Sequence, residues 1–296
     1  MPIKIISNKE NLQVIYEDNH IIAINKRVGD IVQGDQTGDT PLSEVVKQYI
    51  AEKYNKPGKV YLGVVHRLDR PTSGIVIFAK TSKALTRLNK LFSERKTEKT
   101  YWAIVKKKPA KASDALIHYL KRNSKQNKSY AHKNEIPDSK KAILEYQVIK
   151  NLDHYSLLAI NLKTGRHHQI RTQLSKIGSP IKGDLKYGFD RSNSNGGIHL
   201  HSRRLSFIHP VKSEKIILFE LNNEQYPKFV WRKLNSKWIK ELFIGHQLIS
   251  EYTVKELETK KLLILKALKL HKSNLEKSRP LVHGDLTHFN ILINDD

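Results

Sequence analysis

The densest set of reactive side chains in the sequence is His66-Arg67-Leu68-Asp69-Arg70-Pro71-Thr72-Ser73-Gly74. Apolar runs flank it on both sides, Val64-Val65 before and Ile75–Ala79 after. A polar loop gripped by two buried strands is a rigid place to present a reactive group. Asp69 has an arginine on either side in this loop, which favours its ionised form. A carboxylate held in this way can serve as a nucleophile or a general base. The same residues can equally make a surface salt-bridge cluster, and residue type alone leaves both readings open.

A second cluster is Thr164-Gly165-Arg166-His167-His168-Gln169-Ile170-Arg171. It leads into a helix expected over 168–177, ended by Gly178 and Pro180. Arg171 lies one turn after His168, so the two share a face. A helix start bearing arginines favours an anion, a phosphate or a carboxylate. Two further stretches are a turn with glycine at both ends, Gly183-Asp184-Leu185-Lys186-Tyr187-Gly188, and the segment Leu200–Pro210 with Leu205, Phe207 and His209. Each alone reads as a plain turn and a plain strand.

The elements that must hold these groups alternate between short apolar runs and a few helices. Val14–Tyr16 and Ile21–Ile24 form a hairpin around a polar turn, and Thr40-Pro41 opens a helix over Leu42 to Lys53. Ser82 is the expected N-cap of a helix reaching about Arg95, and Tyr101–Val105 is a strand. Lys106 to Lys140 is lysine-rich and weakly periodic, an excursion with some strand. Ile143–Ile149 pairs with Tyr155–Leu162, and Ile198–Phe207 and Lys215–Leu221 follow as strands. Strands joined by short turns predict an α+β fold, a mixed, largely antiparallel sheet with flanking helices. From about residue 222 the pattern becomes mainly helical, so a domain over 1–221 and an extension over 222–296 are expected.

Composition narrows the function. The chain has 296 residues and a formal net charge of +24. Residues 1–220 hold 40 basic against 20 acidic residues and so carry nearly all of the excess. Such a surface suits a polyanion, because lysine and arginine displace condensed counterions from phosphates. A lysine-rich proteome explains the charge without any function. No cysteine is present, which excludes disulfides, thiolate zinc sites and a cysteine nucleophile, and fits a reducing compartment. No apolar stretch approaches the roughly 18 residues of a membrane helix. The residues before Val14 lack a signal-peptide core, so a cytoplasmic location is expected.

The stretches His66–Gly74, Gly165–Leu174, Gly183–Gly188 and Leu200–Pro210, in this order and spacing, resemble the RluA family of RNA pseudouridine synthases over about residues 13–220. The resemblance implies the pseudouridine synthase fold with an RNA-binding cleft, and isomerisation of uridine in ribosomal or transfer RNA without cofactor or metal. It implies that Asp69 is the catalytic aspartate, attacking the ribose or assisting glycal formation. It implies that Tyr101 stacks on the base and helps to remove the C5 proton, and that Arg171 pairs with Asp69. Arg67 is implied to fill the gap left by a flipped nucleotide. With the basic residues beside these motifs, Arg67, Arg70, Arg166, His168 and Lys186 are expected to contact RNA. A monomer is expected, with RNA as partner and no membrane. The opposing reading is an RNA-binding protein of the same fold without turnover.

Two features depart from the family pattern. The turn after the first strand pair is Asn25-Lys26-Arg27-Val28-Gly29, where the family has Asn-Lys-Pro. Thirteen residues precede Val14, so substrate choice is expected to come from the catalytic domain or from downstream. Histidines 167, 168, 199, 201 and 209 lack a carboxylate at ligand-like spacing, so no metal site is expected. Separately, Leu281–Ile293, with Asp285 and Asn290, resembles the catalytic loop of aminoglycoside-phosphotransferase-type kinases. No glycine-rich nucleotide loop or strand lysine accompanies it, so it reads as a kinase-like fragment that does not transfer phosphate by itself.

Overall fold

A computed structural model describes residues 5–219. The expected extension over 222–296 and its kinase-like stretch lie outside the described residues. The strands are β1 Val14–Glu17, β2 Ile21–Lys26, β3 Gly63–Val64, β4 Ser73–Ala79, β5 Glu98–Val105, β6 Ser113–Asn123, β7 Lys128–His132, β8 Lys140–Asn151, β9 Ser156–Leu162, β10 Leu200–Ile208 and β11 Lys215–Phe219. The helices are α1 Leu42–Lys53, α2 Ser82–Ser93 and α3 Gln169–Lys176.

One sheet takes the order β1-β2-β4-β10-β5-β9-β8-β6-β7, with β11 on β10 and β3 on β4. The β4–β10 pairing, Ser73 opposite His201 and Gly74 opposite Ser202, is parallel. The other ladders are antiparallel. This is the mixed, largely antiparallel α+β architecture that the strand pattern predicts.

β2 and β4 are buried along their whole length, and their sequences IIAINK and SGIVIFA read as continuous apolar runs for that reason. Alternate residues feed two cores. Ile22, Ile24, Val76, Phe78 and Tyr101 join α1 and α3 on one face, through Leu42, Val46, Ile50, Ile170 and Leu174. Ile21, Ala23, Ile75 and Ile77 join Ala84 and Leu88 of α2 on the other. Truncating a residue such as Phe78, fully buried, to alanine costs about 3–5 kcal/mol.

Three local expectations shift. The N-cap of α2 is Thr81, whose hydroxyl accepts from Ala84 N at 3.2 Å, one residue before Ser82. α3 begins at Gln169, because His168 takes a left-handed backbone with φ of 52°. The lysine-rich stretch after β5 is a regular hairpin of β6 and β7. Its periodicity is faint because it lies at the sheet edge, where few side chains are buried on either face.

Candidate active site

The loop between β3 and β4 carries Asp69, and its backbone is fixed at every carbonyl from Asp69 to Thr72. Asp69 O accepts from Thr72 N at 3.0 Å, Arg70 O from Gly29 N at 2.9 Å, and Pro71 O from Ile198 N at 3.0 Å. Thr72 O accepts from Lys26 Nζ at 2.6 Å. Lys26 Nζ also donates to Arg27 O at 3.0 Å and Arg70 O at 3.3 Å. Lys26 is the last residue of β2 and has no exposed surface. Burial pulls its ammonium down to about 7, against the attraction of Asp30 and Asp69. In sequence Lys26 reads only as part of a turn; the signal for more is a lysine closing a largely apolar strand.

Gly74 follows the loop with φ of 112°, and a Cβ there would lie 2.4 Å from the backbone oxygen of Ser202. Only glycine lets β4 lie this close to β10. Ser202 in turn faces Tyr101 across the β10–β5 ladder. The same strand pair therefore sets both the loop of Asp69 and the tyrosine.

Asp69 is met by Arg171 from α3, with Nη1 3.0 Å from Oδ2. The rest of that guanidinium is taken by Asp184: Nε donates to Oδ2 at 2.7 Å and Nη2 to Oδ1 at 2.9 Å. Asp184 is buried, and Arg171 nearly so. Two carboxylates outweigh the cost of burial and push the guanidinium further up from its already high range. The Tyr187 ring lies 5.0 Å beneath the Arg171 guanidinium carbon. The Arg171 side chain, in the first turn of α3, is thus engaged with the protein's own carboxylate pair.

His168 Nε2 is 3.5 Å from Asp69 Oδ2. Burial holds this imidazole neutral, at about 3. Its side chain is 7% exposed. Oδ1 of Asp69 accepts no hydrogen bond from the described residues. The carboxylate is 30% exposed.

Tyr101 is buried, and burial first, with the Asp69 charge adding to it, raises its phenol to about 12 against a hydrogen bond from Ser202. At neutral pH it is a flat, uncharged ring with an intact O–H.

The remaining expected RNA contacts are spread around this centre. Arg67 is exposed and makes no ion pair or hydrogen bond among the described residues. Arg70 is engaged with Asp39. Arg166 donates from Nε to Lys141 O at 3.1 Å. Lys186 reaches the tip of the β6–β7 hairpin, donating to Asn127 O at 3.2 Å and Gln126 O at 3.4 Å. Asp184 and Tyr187, which support Arg171, were read in sequence as members of a plain turn. Their spacing between Gly183 and Gly188 was the available signal.

A partly exposed carboxylate on a rigid loop, steered by a buried arginine and near a neutral tyrosine, is chemically suited to nucleophilic or acid–base work. Residues 20–176 match the model of the RNA pseudouridylate synthase family. The chain is 32% identical over 242 residues to an RNA pseudouridine synthase of Aquifex aeolicus, covering 78% of this chain and 73% of that one. It is 34% identical over 198 residues to ribosomal large subunit pseudouridine synthase D of Borreliella burgdorferi, covering 66% of this chain and 60% of the relative. A tRNA pseudouridine synthase C of Vibrio parahaemolyticus is 26% identical over 225 residues, covering 70% and 89%. The structure of human RNA pseudouridylate synthase domain containing 4 shares the fold, with a TM-score of 0.60 and 22% identity over 75% of this chain and 91% of that one. The chain belongs to the RNA pseudouridylate synthase family, a family of isomerases.

Proposed function

We propose that this chain converts uridine in ribosomal or transfer RNA to pseudouridine, with Asp69 as the group that opens the glycosidic bond. The observation that supports this reading is the Arg171–Asp69 contact at 3.0 Å, which orients a partly exposed carboxylate in a protein of this family. Relatives named for ribosomal and transfer RNA support both as substrates.

The reaction separates N1 of the base from C1′ of the ribose, turns the base, and joins C5 to C1′. N1 takes up a proton, the hydrogen on C5 leaves to solvent, and any bond between Asp69 and C1′ breaks as C5 joins C1′. Asp69 acts at the ribose, either by bonding to C1′ or by taking a proton to give a glycal. Arg171 holds the carboxylate in register, and its second contact with Asp184 keeps it from swinging away. Tyr101 offers a face for the detached base, and a phenol raised to about 12 acts there as a neutral group. A stacked uridine must first leave its helix, at a cost of a few kcal/mol. Arg67 has a planar head free to occupy the vacated place. Arg70, Arg166 and Lys186 are read as phosphate contacts that position rather than specify.

The test is tritium release from RNA labelled at uridine C5, using wild type and Asp69→Asn on bulk ribosomal and transfer RNA. Release by the wild type alone is expected, and the responding RNA identifies the substrate. No release from either RNA, with RNA binding retained, would favour the binding-only reading.

A further inference from the structure

A row of close polar contacts lies behind Asp69. It begins on the edge strand β7. The backbone N–H of Ser129 donates to the Tyr187 hydroxyl oxygen at 2.8 Å. That hydroxyl lies 2.9 Å from His168 Nδ1. The far nitrogen of the same ring, Nε2, points at Asp69 Oδ2 from 3.5 Å.

Tyr187 Oη accepts from that backbone amide and also meets the Thr172 side chain. Its hydrogen can go to His168 Nδ1, or to Thr172 while Nδ1–H donates to the phenol, so this end of the ring admits both tautomers. A neutral imidazole that accepts at Nδ1 carries its hydrogen on Nε2. The other end of the ring decides between them: a lone pair on Nε2 would face the Asp69 carboxylate 3.5 Å away, so the hydrogen belongs on Nε2. The ring is fenced on its remaining sides. His167 stacks on it at 3.8 Å, and the Tyr187 ring meets it edge-on at 5.6 Å. The guanidinium of Arg171 shares the oxygen it faces. Ser129 also ties down its neighbour, with Oγ 2.9 Å from His167 O and 2.8 Å from His167 Nδ1.

The backbone is shaped for this placement. His168 is held at φ of 52°, and the Thr172 hydroxyl donates to its carbonyl at 2.9 Å. Histidine, with asparagine and aspartate, is among the side-chain-bearing residues that enter this left-handed region most readily.

We infer that His168 is a positioning residue for Asp69: the carboxylate fixes it in the Nε2–H tautomer, and its Nε2–H is a second donor, beside Arg171, to the Oδ2 atom of Asp69. This inference rests on the pseudouridine synthase reading for its catalytic consequence, while the tautomer itself does not. At 3.5 Å the bond is open. Catalytic hydrogen bonds that are long without substrate tighten in the reacting complex, and here the closure holds Oδ2 still while Oδ1 works at the ribose. His168 thus acts on the carboxylate, not on RNA.

The experiment has two arms. In the first, a long-range ¹⁵N correlation spectrum of the labelled full chain reads the tautomer, with the His168 signals identified by their loss in His168→Gln. The Nε2–H form is expected in wild type and a mixture of forms in Asp69→Asn. An Nδ1–H form in wild type would overturn the inference, whatever the activity. In the second arm, single-turnover rates and KM are compared for three variants. His168→Leu should lower the rate roughly ten- to hundredfold, the worth of one hydrogen bond to a charged group, with KM little changed. His168→Gln restores an amide N–H near the place of Nε2 and should recover most of that loss. His168→Asn suits the left-handed backbone but ends near the place of Nδ1, so it should remain as slow as the leucine variant. Recovery by asparagine and not by glutamine would reduce His168 to a backbone role. Loss of all tritium release in the wild type, with the Nε2–H tautomer intact, would sink the reaction assigned above rather than the proton placement.

Discussion

Arg171 holds Asp184 with two nitrogens, at 2.7 and 2.9 Å, and has one edge left for Asp69 at 3.0 Å. The buried carboxylate anchors the arginine, and the arginine aims the half-exposed one. Asp184→Asn keeps the shape and removes the anchor charge. Its rate should fall roughly ten- to hundredfold, because a charge-assisted bidentate grip becomes a single weaker contact. Arg171→Met should instead cost about 3–5 kcal/mol of stability, since it leaves Asp184 buried without a partner. Tritium release and urea unfolding on the same preparations distinguish the two effects.

Lys26 predicts a different separation of activity from stability. Its ammonium bonds three carbonyls around the Asp69 loop, and Arg70 O has a second donor in Gly29 N. Lys26→Met removes these bonds and also the cost of burying a charge. The net stability loss should therefore be modest, about 1–3 kcal/mol. The rate should fall further than that figure suggests, because a shift of about 1 Å in a reacting group can cost a hundredfold. A Lys26→Met protein that matches wild type in turnover would show that the loop keeps its place unaided.

The legible parts of the fold were those whose residues carry their own pattern. β2 and β4 announce themselves because both faces are buried, so polar residues are excluded along most of each run. Asp69 stands out because a charged loop interrupts two such runs. The hairpin of β6 and β7 was faint because an edge strand can expose lysines on either face. Asp184 and Tyr187 are marked in sequence only by the turn that holds them, and Ser129 not at all, so their contacts are not legible there. Their partners are 13, 19 and 58 residues away in pairs such as Asp184–Arg171, Tyr187–His168 and Ser129–Tyr187, and only the packed fold closes those distances. His168 is expected to contact RNA as one of the basic residues beside the motifs. That its Nε2 also lies 3.5 Å from Asp69 Oδ2, from a left-handed backbone, is a placement that no spacing rule displays.

Arg67 should affect catalysis without affecting the fold. It is exposed and has no bonded partner among the described residues. Arg67→Ala should change stability by no more than about 0.5 kcal/mol. If the guanidinium replaces a flipped base, the variant loses kcat/KM chiefly on uridines within a stem. A uridine already bulged out pays no unstacking cost, so the loss there should shrink. Equal losses on stem and bulge substrates would reassign Arg67 to a phosphate contact.

Acid should unfold the domain through its buried histidines. Burial lowers His66, His168, His199 and His201 from 6.5 to about 3 each. Between those values the unfolded chain binds protons that the folded chain refuses. Stability is therefore full above pH 6.5 and falls as the pH is lowered toward 3, with a limiting slope of about 1.4 kcal/mol per pH unit for each fully neutral, buried histidine. His201, whose Nδ1 lies 2.9 Å from the Ser73 hydroxyl between the parallel strands, is the clearest single contributor. His201→Gln keeps a polar side chain and removes the titration. Urea midpoints measured from pH 7 to pH 4 should fall less steeply for this variant than for wild type. Parallel curves for the two proteins would show that His201 takes up its proton in the folded state and that the acid sensitivity lies elsewhere.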